Sequence, residues 1–304
     1  MKMSMSSRPP AIRSLAFAAM PGLFVFLWST GFIGAKLGLP YAPPLTFLTL
    51  RFLMVLALLF PVALLTRAPW PRSATEIGHY AVAGLLLHVG YLGGVYVAIG
   101  LGVEAGLSAL IVSIQPLLVA ALAGLLLGER VTRRAWIGLA LGLAGVGLVV
   151  QGKLGAGIGD AAGIAACLVA LLAITGGTIY QKRFCAGMDL RTGNLFQFLA
   201  AATVAGLAAL LFEDLEVQWT GEFVFALGWL VLVLSLGAFT LLYLLIRRGA
   251  ANRVASLFFL VPPCTALIAW PLFGETLGPA ELAGMALVVV GVALVNLPGR
   301  ALRR

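Results

Sequence analysis

One stretch of this chain occurs twice, and that constrains the fold more than any single residue does. Residues 106–150 hold two long apolar runs on either side of a short charged knot, Gly128-Glu129-Arg130-Val131-Thr132-Arg133-Arg134, with Pro116 near the middle of the first run. A shift of 146 positions carries Pro116 onto Pro262, Gly128-Glu129 onto Gly274-Glu275, Gly138 onto Gly284, Gly145 onto Gly291 and Lys36 onto Lys182. The chain is therefore read as two copies of one unit.

The medium around these copies follows from composition. Of 304 residues, 62% are apolar and only 10% are charged, against about 25% charged in soluble domains. Mean hydropathy is +1.07. Ten apolar runs can be marked, at 15–36, 44–66, 77–99, 105–127, 133–151, 160–182, 192–212, 222–246, 254–273 and 279–297. Each is close to the roughly 20 residues that cross a bilayer as a helix. Lipid offers backbone groups no partner, so each must be helical. The first run resembles a secretory signal behind Lys2, Arg8 and Arg13, but it is long for one and aligns in register with residues 161–182. It is read as a retained span. The organisation expected is a cytoplasmic tail 1–14, a first five-helix repeat 15–151, a linker 152–159, a second repeat 160–297 and a basic cytoplasmic tail 298–304.

Charge sets the orientation. With the N-terminus inside, seventeen of the twenty Lys and Arg residues fall in inner segments; Lys36 and Lys153 lie outside, and Arg51 lies within a span. This is the asymmetry of the positive-inside rule. Each half holds an odd number of helices, so the second half enters the membrane upside down. The expected fold is an all-α integral membrane protein with ten transmembrane helices as two inverted five-helix repeats, located in the inner (plasma) membrane. Inverted repeats are the architecture of many secondary transporters, because rocking one half against the other exchanges the accessible side.

The same residues weigh against other classes. A net charge of +9 suggests nucleic acid, but the basic residues are scattered between apolar runs and form no face. Cys167, Cys185 and Cys264 have no metal or redox spacing. No cofactor and no metal site is expected. A membrane enzyme would need a nucleophile and base or a metal set, and the chain offers His79 at a membrane edge and His88 alone. A non-transporting receptor or assembly subunit is the remaining alternative, although it gains nothing from two exchangeable halves.

At Gln115-Pro116, Leu127-Gly128-Glu129-Arg130 and the glycine-spaced run from Gly138 to Leu148, the sequence resembles the EamA family of the drug/metabolite transporter superfamily. Leu27-Trp28-Ser29-Thr30-Gly31-Phe32, Lys36 and Leu50-Arg51-Phe52 extend the likeness, and Pro262, Phe273-Gly274-Glu275 and Gly284 to Val295 repeat it. The resemblance implies ten helices in two inverted repeats and movement of small metabolites, often export of amino acids or related amphipathic compounds. Arg51 has Gln197 as its counterpart, so the halves differ chemically.

Candidate residues follow from what lipid makes costly. Pro116, Pro262 and Pro263 interrupt helices at matching places and are expected to free the carbonyls of Val112, Phe258 and Phe259; they read as hinges around a substrate cavity or as packing kinks. His88 reads as a substrate contact, a proton-coupling group or a histidine bonded between helices, with Tyr91 on the same face. Trp28, Gln115, Thr178, Tyr243 and Ser256 supply further polar or aromatic groups for one cavity that takes a small-molecule substrate. Ser29 and Thr175, Ser235 and Phe239 belong to the same set. Arg51 reads as a structural or gating charge, with a substrate carboxylate as the other reading. Glu129 and Glu275 read as turn residues or as gate ion pairs. Gly138, Gly142 and Gly145 form a small-residue stripe for close helix approach, including at a homodimer seam.

Overall fold

The computed structural model describes residues 10–103, 105–127, 131–151, 161–248, 251–273 and 278–296. Glu129, Glu275, the linker 152–159 and the basic tail 298–304 lie outside the described residues. Helix α1 (Pro10–Gly38) begins within the segment expected to be a solvated tail. The helices that follow are α2 (Pro44–Leu65), α3 (Ala74–Gly100), α4 (Ala105–Val112 and Gln115–Leu127) and α5 (Arg133–Gln151). The second half holds α6 (Ala161–Phe184), α7 (Leu190–Phe212), α8 (Gly221–Arg248), α9 (Ala251–Ser256, Leu257–Leu260 and Val261–Phe273) and α10 (Pro279–Asn296).

Among the described residues, six helices are long and apolar enough to cross a membrane: α2, α3, α6, α7, α8 and residues 19–41 through α1. Three belong to each half. The exterior is apolar, with Leu65, Leu172, Leu211 and Phe212 at least 65% exposed. Arg51, His88, Gln115 and Gln197 are at most 2% exposed. That pattern inverts the soluble rule and fits a lipid surround.

The halves share their irregularities as well as their helices. Ser73 caps α3 and Thr220 caps α8, each hydroxyl accepting from the amide three residues on. Both helices then widen into nine residues of π-helix, Leu85–Gly93 and Leu230–Ala238. Such wide turns gather at functional positions. Helix α4 breaks after Val112, just ahead of Pro116, and α9 passes through a 3-10 turn, Leu257–Leu260, just ahead of Pro262. The Phe258 carbonyl, expected to be freed by Pro262, instead accepts from the Val261 amide through that tighter turn.

The principal helix pairs among the described residues are matched when the halves are exchanged. Helix α5 packs on α10 and α2 on α7; α3–α6 is matched by α8–α1, α4–α6 by α9–α1, and α3–α7 by α8–α2. The glycine stripe of α5 lies at this seam inside the chain, the close helix approach expected of it. A Cβ on Gly138 would sit 2.5 Å from the Gly291 carbonyl oxygen, and one on Gly145 2.5 Å from that of Gly284. As α5 ascends from 138 to 145, its neighbour descends from 291 to 284, so the equivalent helices cross antiparallel.

Both ends of the bundle are tied. The Glu213 carboxylate accepts from the Leu45 and Thr46 amides at 2.8 and 2.7 Å and from the Thr46 hydroxyl. It thereby satisfies donors that the start of α2 leaves open. Tyr41 donates to Glu222 nearby. At the other end the Asp189 side chain caps α7 and binds the Arg191 guanidinium at 2.7 Å, which holds its carboxyl below the usual range.

Candidate functional site

A small cavity of about 30 Å³ lies between α1, α2, α3 and α8. Its wall includes Trp28, Phe32, Tyr91, Tyr96 and Phe239, with Arg51 as its charged member. Trp28, Phe32 and Tyr91 also line a second, smaller cavity of about 10 Å³, reached by Ser113 at the break in α4 and by Pro262 of α9. These three side chains thus form a partition between the two spaces. Trp28 and Tyr91 stack with ring centres 6.2 Å apart and planes 10° apart, and the indole N–H donates to the tyrosine oxygen at 3.3 Å. Phe258 and Phe239 brace the indole on other sides, 5.2 and 4.8 Å away.

Arg51 lies seven residues into α2, about 10 Å along its axis. Its Nε donates to the Ser235 hydroxyl at 2.9 Å and an Nη1 hydrogen to the Tyr96 hydroxyl at 3.2 Å. Both partners are neutral. Among the described residues no carboxylate pairs with this buried cation.

A second polar cluster sits in the opposite half of the bundle. Tyr243 donates to Gln197 Oε1 at 2.7 Å, and Gln197 Nε2 donates to Gln181 Oε1 at 2.9 Å and approaches the Met188 sulfur at 3.5 Å. His88 lies beside this amide, and among the described residues neither ring nitrogen has a partner at hydrogen-bond geometry. The imidazole is caged by Phe198, Phe239 and Phe52, with centres 4.2, 4.6 and 5.8 Å away. The packing at this end is tight: a Cβ on Gly84 would lie 2.4 Å from the Gln197 carbonyl oxygen.

The structure therefore brings Trp28 and Tyr91 into one wall together with Arg51, and places Pro262 at the neighbouring space. His88 and Tyr243 are fully enclosed and line neither cavity. Gln115 donates to Thr178 at 3.1 Å between α4 and α6, and its side-chain oxygen has no partner among the described residues. Ser256, Pro116 and Pro263 are buried and lie outside both linings. The hydroxyls of Ser29, Thr175 and Thr178 bond back to carbonyls one turn earlier, and Ser29 also reaches the Val261 carbonyl at 3.3 Å.

Tyr96 escapes a reading at a single register, and Gln181, the partner of Gln197, has no polar counterpart in the first repeat. The third helix of each half is offset by 147 rather than 146, as the matching caps Ser73 and Thr220 show. Under that offset Tyr96 meets Tyr243 and His88 meets Ser235. Sliding the register helix by helix is the signal that finds them.

An all-helical bundle of two exchangeable halves around a central cavity defines a duplicated polytopic membrane protein, and the comparisons agree. The EamA-like transporter family matches residues 17–151 and again 161–297. The uncharacterized transporter YvbV of Bacillus subtilis is 29% identical over 294 residues, covering 93% of this chain and 92% of its own. A probable amino-acid metabolite efflux pump of Salmonella typhimurium is 28% identical over 293 residues, covering 93% and 95%. A solved crystal structure superposes with a TM-score of 0.77 at 21% identity, over 94% of this chain and 98% of its own, so the fold is shared. The chain belongs to the EamA-like transporter family and is a multi-pass membrane transporter, not an enzyme.

Proposed function

We propose that this protein is a secondary transporter that moves a small organic metabolite by alternating access, and that it exports amino acids or related amphipathic compounds. The observation that carries this reading is the exchange symmetry of the helix pairs around the cavity, with α5 and α10 crossing antiparallel at their glycines. Two halves of that kind support two equivalent packings, which is what alternation of access requires. In this reading all ten helices span the bilayer and the repeats are inverted. Both termini face the cytoplasm of the inner membrane, on the Lys/Arg-rich side. The Arg51 cavity then lies in the outer half and the Gln197 cluster in the inner half. The hinges are the matched breaks before Pro116 and Pro262. Trp28 and Tyr91 form the wall that meets substrate; His88, Gln115, Thr178, Tyr243 and Ser256 act in the closed half or as packing until the halves exchange.

Counterflow in liposomes tests the proposal. Purified protein preloaded with unlabelled amino acids should accumulate labelled amino acid without an imposed proton gradient. Uptake no greater than in empty liposomes across a broad amino-acid panel would exclude it, and uptake only under a proton gradient would exclude an uncoupled mechanism.

A further inference from the structure

Resting on that transport reading, we infer that the cavity of α1, α2, α3 and α8 takes an organic monocarboxylate with an apolar or aromatic body, held by its carboxylate on Arg51. Arg51 is 2% exposed, and among the described residues its guanidinium bonds to two neutral hydroxyls, Ser235 and Tyr96, and to no carboxylate. A buried cation without a counter-charge is costly, and hydroxyl dipoles compensate it only in part. The remaining donors of the planar fork match a carboxylate's two oxygens.

The wall says what the rest of the ligand is. Trp28, Phe32, Tyr91, Tyr96 and Phe239 offer ring faces, and among the described residues no acidic side chain lines the cavity. An ammonium group therefore has no carboxylate to meet there, and a wholly cationic ligand meets like charge. A dianion such as a phosphate monoester would leave one uncompensated negative charge in the same low-dielectric space, whereas a monocarboxylate balances Arg51 one for one. The amino group of an amino acid finds no partner on this wall, so a deaminated acid should bind at least as tightly as the amino acid.

Gln197, the counterpart of Arg51, makes the test feasible. A glutamine at this place in α7 is already accommodated with its amide bonded to a tyrosine of the same repeat. Arg51→Gln should therefore fold, with Tyr96 as its partner. Isothermal calorimetry on detergent-purified protein would use 3-phenylpropanoate, its neutral amide, 3-phenylpropylamine and phenyl phosphate. Wild type is expected to bind the acid at least tenfold more tightly than the amide and to bind neither amine nor phosphate detectably. In Arg51→Gln the acid should fall to the level of the amide. Equal affinity for acid and amide in wild type overturns the inference, as does an acid preference that survives in Arg51→Gln. If that variant is not monodisperse on gel filtration, Arg51→Lys decides: the charge without the fork should weaken acid binding severalfold while still favouring it over the amide, and unchanged acid affinity counts against a fork.

Failure here and failure of the transport reading are distinguishable. Counterflow of phenylalanine that 3-phenylpropanoate does not inhibit removes the inference and leaves the transporter. Acid binding in the absence of any flux does the reverse.

Discussion

Arg51 and Gln197 occupy the same place in the two repeats, and each bonds the tyrosine at equivalent positions of its own third helix, Tyr96 and Tyr243. The third position of each cluster comes from the opposite half: Ser235 beside Arg51, His88 beside Gln197. One scaffold is thus built twice, once charged and next to a cavity, once neutral and closed. A pseudo-symmetric transporter with different polar groups in its two clusters would present different chemistry to the two sides of a membrane.

The closed cluster makes a prediction about His88. Among the described residues both ring nitrogens are buried without a hydrogen-bond partner, inside three phenylalanine rings. Removing an unsatisfied polar group in favour of an apolar one of similar shape is neutral or stabilising. His88→Phe should leave the melting temperature in detergent unchanged or higher. A drop of several degrees would show that the imidazole has a structural partner. Retained stability with lost counterflow would assign it a role in the moving protein.

The antiparallel seam predicts steep, local intolerance. A side chain on Gly138 meets the Gly291 carbonyl oxygen, whereas one on Gly147 or Gly78 meets nothing within 4 Å. Overpacking of a tight contact costs about 1–3 kcal/mol, and here backbone must move. Gly138→Val should sharply reduce the monodisperse peak in fluorescence-detected gel filtration, while Gly147→Ala and Gly78→Ala should elute like wild type.

Glu213 caps a helix from the far half of the chain. Its two oxygens hold the Leu45 and Thr46 amides at the start of α2. Glu213→Ala should destabilise the protein by about 1 kcal/mol, the usual value of a lost cap, read as a lower thermal midpoint. Glu213→Gln should recover part of it, because one acceptor remains. Equal midpoints for Ala and wild type would mean that water caps α2 as well.

Acid should loosen the same bundle at its other end. The Arg191 guanidinium beside Asp189, with the Arg191 and Thr192 amides, holds this carboxyl below its ordinary value in the folded state. A depressed folded value contributes stability that is full above the unfolded value and is lost as pH falls through the folded one. The melting temperature of wild type should therefore fall more steeply than that of Asp189→Asn below roughly pH 4. The difference should be small, because the pair is partly exposed and screened. Parallel curves would show that Asp189 does not contribute.

Much of this architecture is legible in one dimension because lipid leaves the chain few choices. Apolar runs must be helices, and a duplicated proline and glycine pattern must mean duplicated packing. The register of 146 placed Pro116 on Pro262 and Arg51 on Gln197. It did not place Tyr96 on Tyr243, because a one-residue offset in the third helix is invisible to a single shift. It also exposed Phe258 to a false reading. Proline removes a donor at a known position, but whether the orphaned carbonyl finds another partner depends on how the backbone winds, and here the 3-10 turn supplies one.

Sequence alone determined that the protein lies in a membrane, that it is built twice, and where each copy is interrupted, because those properties follow from hydrophobicity, the repeat at a shift of 146 and the missing proline donor. Only the tertiary structure decided which polar residues share a space. Trp28, Arg51, Tyr91 and Tyr96 stand on three helices, and their side chains meet because α1, α2 and α3 close on α8 of the other half. His88, of the same helix as Tyr91, turns into a phenylalanine cage instead. Composition is a property of one segment, whereas a cavity is a property of the gaps between several, and those gaps exist only once the halves have packed.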